Sequence, residues 1–336
     1  MDPVTLAHVA HVTGGRLVRA TNADELVGPD VVTDSRVVTP GGLFVAIAGE
    51  RTDGHDHLEQ VRDRGARAAL VTREVAVDLP QIVVADTVAA LAEVARDVVT
   101  RAEVTGLRVV GITGSSGKTS TKDLVAKVLG DAGATIAPPG SFNNEIGLPL
   151  TALKVGRDTR FFVAEMGASH VGEITRLTTI APPDIAVVLK VGCAHLGEFG
   201  SVERIAQAKS EIVQGLVPDG LAVLNADDAH VAAMAPLAPQ GHVFWFGMAG
   251  DDAEASAGHA ASGKSDALFA SDVRTDDGDR PSFTLERADG GTAHVQLAIR
   301  GTHNVMNALA AASVAHLLGV PLQSIAETLS RQSRIS

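Results

Sequence analysis

From Arg108 to Thr113 the chain reads Arg-Val-Val-Gly-Ile-Thr, a nearly continuous apolar run of the kind that fills a strand buried on both faces. Similar runs return at 161–165, 184–191, 221–224 and 242–246, and between them apolar residues recur at helical spacing, as over 202–216. Such alternation predicts an α/β fold with a mainly parallel sheet and helical crossovers. Before it, residues 1–106 read as a small mixed α/β unit. Its short strands fall at 43–48, 68–71 and 82–84, and a helix follows from Thr87 on the spacing of Leu91, Val94, Ala95, Val98 and Val99. Gly106 supplies a stop, so the boundary is placed there, with a central domain over 107–330.

Late in the chain the pattern changes. Residues 247–265 form an Ala/Gly/Ser/Asp tract that can bury little apolar surface and reads as a loop or insertion. Residues 268–300 then carry period-two segments, 282–286 and 293–297, around Asp289-Gly290-Gly291, which predicts a small antiparallel addition to the sheet. A helix over 304–318, Pro321 and a polar ending close the chain.

The 336 residues suit about two domains, and 45% hydrophobic content is ample for buried cores. A net charge of −12 argues against wholesale binding to nucleic acid or an anionic membrane, so any anion must be held locally. One cysteine, Cys193, excludes an internal disulfide. The N-terminus has no signal-peptide pattern and no apolar run approaches the ~20 residues that span a bilayer, which predicts a cytoplasmic protein.

Local anion binding has an obvious place. The apolar run ending at Thr113 enters Gly114-Ser115-Ser116-Gly117-Lys118-Thr119-Ser120, a glycine turn opening a helix with Lys-Thr. Glycines let backbone N–H groups face a phosphate, Lys118 adds a mobile cation, and the Thr119 hydroxyl suits the magnesium that travels with ATP. The strict phosphate-loop pattern wants glycine at 112, where this chain has Ile112, with Gly111 one place earlier.

Other polar residues admit two readings each. Glu165 closes an apolar strand and is either a magnesium ligand or a solvated strand-end carboxylate. His195, after the 184–191 strand, is a possible metal ligand, although magnesium prefers oxygen and its chemistry alone favours a satisfied polar histidine. Lys209 is a phosphate counter-charge, a carbamylated oxygen ligand or a snorkelling surface lysine. Asn143 and Asn144 offer amide donors in a polar loop. Asn304 alone reads as a helix N-cap. Ser35 and Arg36 either hold a phosphate or leave Arg36 in an ordinary ion pair with Asp34.

Taken together, Asp34-Ser35-Arg36, residues 40–46, Gly114 to Thr119, residues 141–149, Ala164-Glu165-Met166-Gly167 and residues 194–200 resemble the Mur ligases, over nearly the whole chain. The odd glycine spacing is the family's own. The resemblance implies a P-loop-type central ATPase domain, and an ATP-dependent amide ligase that extends the peptidoglycan precursor through an acyl phosphate. Its motifs point to the members that join D-alanyl-D-alanine to UDP-N-acetylmuramoyl-tripeptide. It implies that Gly114 to Ser120 hold ATP, that Thr119, Glu165, His195 and a carbamylated Lys209 serve two magnesium ions, and that Asn304 contacts the adenine end. Asn143 and Asn144 would line the reaction centre, and Ser35 and Arg36 would hold the UDP part. It further implies a monomer, and a third, Rossmann-like domain for which 331–336 would be the start, so that this chain alone would have little activity. A diamino-acid-adding ligase, a folylpolyglutamate synthetase and a non-ligase P-loop ATPase are the alternatives.

Overall fold

The computed structural model describes residues 1–49, 52–192, 196–249 and 266–332, so the expectations for His195 and Cys193, and those for 250–265, lie outside the described residues. The chain divides into two units, Met1–Leu107 with Glu145–Thr159, and Arg108–Asn144 with Arg160–Ser336.

In the first unit, β1 (Arg16–Val18), β2 (Val31–Val32), β3 (Leu43–Val45), β4 (Ala68–Val71) and β5 (Gln81–Val83) form a sheet in the order β1-β5-β4-β3-β2, parallel except for β1. Helix α1 (Thr87–Glu103) starts where the Asp86 carboxylate accepts from the Val88 and Ala89 N–H groups. It buries Leu91, Val94, Ala95, Val98 and Val99, the stripe its spacing predicts.

One expectation is corrected here. Residues 145–159 fall within the central domain expected from sequence, yet they belong to the first unit. The helix Gly147–Ala152 buries Leu148, Pro149 and Ala152, and Leu153 accepts through its carbonyl from the chain's own amino terminus. Its apolar side is satisfied by residues more than forty positions away, a link that spacing within the sequence does not carry.

The second unit is built on nine strands among the described residues: β6 (Arg108–Thr113), β7 (Thr135–Ile136), β8 (Phe161–Glu165), β9 (Ile185–Val188), β10 (Leu221–Asn225), β11 (Val243–Met248), β12 (Ala267–Thr275), β13 (Pro281–Arg287) and β14 (Thr292–Gln296). Their order is β14-β13-β12-β11-β10-β9-β6-β8-β7. The sheet is parallel from β7 to β12, and β13 and β14 add antiparallel, as the period-two pattern predicts. Gly247 and Met248, read from sequence as the start of the loop tract, instead finish β11 and pair with β12.

Helices α2 (Lys118–Ala132), α3 (Glu173–Ile180), α4 (Val202–Gln214), α5 (His303–Leu317) and α6 (Leu322–Arg331) belong to this unit. Helix α5 is apolar nearly all round and buries Val305, Leu309, Val314 and a run of alanines, so it lies inside the core rather than on it. Helix α6, left unassigned from sequence between Pro321 and the polar residues at 330–336, buries Ile325, Ala326 and Leu329 on one stripe. Among the described residues no helix is long and apolar enough to cross a membrane.

Strand β6 lies between β8 and β9, with Ile112 opposite both Glu165 and Val187. The chain leaves β6 toward β8 and later returns to β9 on the other side. The carboxyl end of β6 is therefore the place where an open parallel sheet gathers a ligand.

Candidate active site

The loop after β6 is fastened to both neighbouring strands. The Thr113 hydroxyl donates to the Met166 carbonyl at 2.8 Å, just beyond β8. The Ser115 N–H donates to the Lys190 carbonyl at 2.8 Å, and the Ser115 hydroxyl accepts from the Gly192 N–H at 2.9 Å, both beyond β9. Gly117 caps α2 at φ +83°, a left-handed conformation, and a Cβ there would lie 2.4 Å from Asn307 Oδ1. Only glycine meets both demands.

Beyond Gly117 an open depression of about 320 Å3 is lined by Lys118, Thr119, Ser120, Ser141, Asn143 and Glu165. First-turn N–H groups of a helix lack intrahelical partners, and their partial positive charge suits an anion. Lys118 folds back so that Nζ donates to the Gly114 carbonyl at 2.9 Å. Burial lowers its pKa, and the Glu165 carboxylate partly opposes that. Ser116 is exposed on the same loop.

Glu165 is 1% exposed. Its Oε2 accepts from the Thr119 hydroxyl at 2.9 Å and its Oε1 from Asn143 Nδ2 at 2.8 Å. The reading of a solvated strand-end carboxylate is thereby overturned, because the apolar strand carries this residue into the interior. Asn143 is held in turn by its carbonyl, which accepts from the Gly167 N–H at 2.9 Å. Asn144 is exposed and is not among the residues lining the depression.

The donor set can be tested against magnesium. Thr119 and Glu165 present a hydroxyl and a carboxylate side by side, oxygen donors that a hard cation takes while keeping waters and phosphate oxygens. Among the described residues no group of three or more His, Cys, Asp or Glu could hold a metal by itself.

Lys209 lies on α4 at 3% exposure, which removes the reading of a snorkelling surface lysine. Burial pushes its pKa down to about 8, with the positive charge of Lys118 adding to the effect. An amine so placed gives up its proton more readily than an ordinary lysine.

Asn304 is not the N-cap of α5: that position is Thr302. Its Nδ2 donates to the Arg300 carbonyl at 2.7 Å and its Oδ1 accepts from Asn307 Nδ2 at 2.9 Å. Asn307 Oδ1 accepts from the Thr121 hydroxyl at 3.3 Å, so two asparagines tie the start of α5 to α2. In the first unit, Ser35 donates to Gln60 Oε1 at 2.9 Å. The exposed Arg36 guanidinium grips Asp34 through Nε and Nη2 at 2.9 and 2.7 Å. Those hydrogen bonds hold the Asp34 carboxyl down at about 2.

Two residues of the site were missed from sequence. Asn307 follows Asn304 by one helical turn, and Lys122 sits in the stripe that α2 buries with Leu124, Val125 and Val128. A charge inside an apolar helical stripe was the available signal for Lys122.

Residues 112–315 match the Mur ligase middle domain, and residues 30–113 match the Mur ligase family, catalytic domain. The UDP-N-acetylmuramoyl-tripeptide–D-alanyl-D-alanine ligase of Mycobacterium leprae is 42% identical over an alignment covering 100% of this chain and 69% of that protein. The Escherichia coli ligase of the same name is 37% identical, covering 97% of this chain and 67% of its own. A crystal structure of MurF from Acinetobacter baumannii superposes with a TM-score of 0.87 at 32% identity, over 100% of this chain and 70% of the other. MurF ligase from Thermotoga maritima in complex with ADP gives 0.75 at 31% identity, over 91% and 66%.

Proposed function

This chain belongs to the Mur ligase family, and from that premise we propose that it is the ATP-dependent ligase joining D-alanyl-D-alanine to UDP-N-acetylmuramoyl-tripeptide in peptidoglycan precursor synthesis. The observation that carries the reading is the row Thr119, Glu165 and Asn143 beside Lys118, at the carboxyl end of β6. A P-loop ATPase needs the cradle, but the first unit's Asp34-Ser35-Arg36 motif suits the UDP part of a second substrate.

In this reading Gly114 to Ser120 hold the ATP phosphates, with Lys118 swinging from the Gly114 carbonyl onto the γ-phosphate. The tripeptide's terminal carboxylate oxygen attacks that phosphorus and ADP leaves. The dipeptide amine then attacks the acyl carbon, phosphate departs, and the amine's proton is lost to solvent. Magnesium, where bound, neutralises charge on the transferring phosphoryl group. Thr119 and Glu165 are its protein donors, with His195 and a carbamylated Lys209 as further ligands. Asn143 and Asn144 orient the acyl end, Asn304 meets the adenine, and Ser35 and Arg36 grip the UDP diphosphate. A buried Glu165 held by two donors costs no rearrangement when charge develops nearby. The protein works in the cytoplasm as a monomer.

Calorimetric titration with the magnesium complex of a non-hydrolysable ATP analogue and, separately, with UDP-N-acetylmuramoyl-tripeptide tests this. Both should bind, and Lys118→Ala should abolish only the nucleotide. Nucleotide binding with no affinity for the UDP substrate would refute the ligase assignment and leave a P-loop ATPase.

A further inference from the structure

Lys122 is 1% exposed, one helical turn beyond Lys118, and the reaction just described gives it no task. An ammonium taken out of water is costly unless it is paired and hydrogen-bonded. Here Nζ donates to the Pro138 carbonyl at 2.8 Å and the Gly140 carbonyl at 3.1 Å, and lies 2.6 Å from Asp123 Oδ1.

The stretch it grips has few other means of being held. Pro138 and Pro139 have no N–H to give, and Gly140 sits at φ +58°. Immediately afterwards come Ser141 and Asn143, both lining the phosphate-side depression. That short run is fixed at its far end by the Asn143 bonds to Glu165 and Gly167. A Cβ on Gly167 would lie 2.9 Å from Asn143 Cγ, so the fit there is tight.

We propose that Lys122 is a positioning residue: its ammonium clamps 138–140 to α2, so that the same helix that presents Lys118 and Thr119 to the nucleotide also sets where Ser141 and Asn143 meet Glu165. It touches no ligand itself. The phosphate-loop helix and the asparagine loop then move as one piece, which holds the Thr119, Glu165 and Asn143 row in register. This proposal rests on the nucleotide-binding reading above.

A double-mutant cycle on the whole chain tests it, using Lys122→Met, Asn143→Ala and the pair together. The readouts are affinity for the magnesium complex of a non-hydrolysable ATP analogue and hydrogen exchange over 140–144. Lys122→Met should weaken the nucleotide about tenfold and speed exchange in 140–144, while β6 and β8 stay protected. The double variant should bind no more weakly than Asn143→Ala alone, because a loop already released has nothing left to lose. A merely structural lysine would instead lower the unfolding midpoint and leave the two effects multiplying. Multiplying effects, unchanged affinity in Lys122→Met, or unchanged affinity in Asn143→Ala would each overturn the proposal. If Lys122→Met fails to fold, Lys122→Gln, neutral but able to reach one carbonyl, takes its place in the same cycle. Failure of the unsubstituted chain to bind the nucleotide would count against the function and is read separately.

Discussion

Lys209→Met should make this protein more stable at neutral pH, and the gain should fade as pH rises. Lys209 is 3% exposed, and its pKa falls from 10.5 to about 8, chiefly through burial and then through Lys118. Holding the ammonium inside therefore costs on the order of 3 kcal/mol wherever both states are protonated. Below pH 8 that full cost is present. Between pH 8 and 10.5 the folded protein sheds the proton while the unfolded chain keeps it, so the wild type gains stability with pH; above 10.5 the cost is gone. Methionine is unbranched, of similar length, and does not titrate. Urea unfolding of both proteins in carbon-dioxide-free buffer should show the advantage of Lys209→Met shrinking by about 2 kcal/mol between pH 7 and 9.5. A difference that stays flat over that interval would refute the reasoning. The same shift leaves about 300-fold more neutral amine at pH 7 than an ordinary lysine has. Adding 13C-bicarbonate should accordingly give a carbamate carbon signal in the wild type that Lys209→Met lacks.

Three further outcomes follow from the site. Gly117→Ala forces a side chain onto a left-handed backbone and into Asn307 Oδ1, so it should cost about 2 kcal/mol or more and abolish nucleotide binding; a fully stable variant with normal affinity would contradict the geometry. Glu165→Gln should lower affinity for the ATP analogue at least about tenfold with magnesium and leave the magnesium-free affinity unchanged, since it removes a hard anionic donor from the Thr119 side of the depression. Equal losses with and without the metal would point to a purely structural carboxylate. Arg36→Ala should leave the unfolding midpoint where it is, because the guanidinium is exposed, and weaken the UDP substrate about tenfold with no change in the nucleotide. Loss of nucleotide affinity in that variant would count against a separate role for the first unit.

The sequence was most legible where strands are buried on both faces. Residues 108–113 and 161–165 read as strands because nothing polar interrupts them before their ends, and both are observed over those residues. Strands of two or three residues, such as β1 and β2, leave no period to detect, so the first sheet was only half visible. Helix α6 shows the opposite failure. Its stripe of Leu322, Ile325, Ala326 and Leu329 stands at helical spacing, yet the reading from sequence stops at Pro321 and resumes only at the polar residues from Ser330. The return of 145–159 to the first unit was hidden for a different reason: it depends on contacts far apart in sequence, whereas spacing is a local signal.

The site was legible in its outline and opaque in its supports, and one physical fact explains both. Glycines, Lys118 and Thr119 announce themselves by type and spacing. Whether a carboxylate or an ammonium is inside or outside depends on tertiary packing, so Glu165 and Lys209 each admitted a surface reading and Lys122 drew none. All three prove to be buried charges in the second unit. Glu165 bonds to Thr119, Lys122 follows Lys118 on the same helix, and Lys209 feels the charge of Lys118. A fold that sought only stability would place apolar side chains in those positions, since replacing buried charges by well-packed apolar groups is often neutral or stabilising. Three such exceptions around one loop mark where local rules yield to chemistry, which is where a phosphoryl-transfer site has to concentrate its fixed charges.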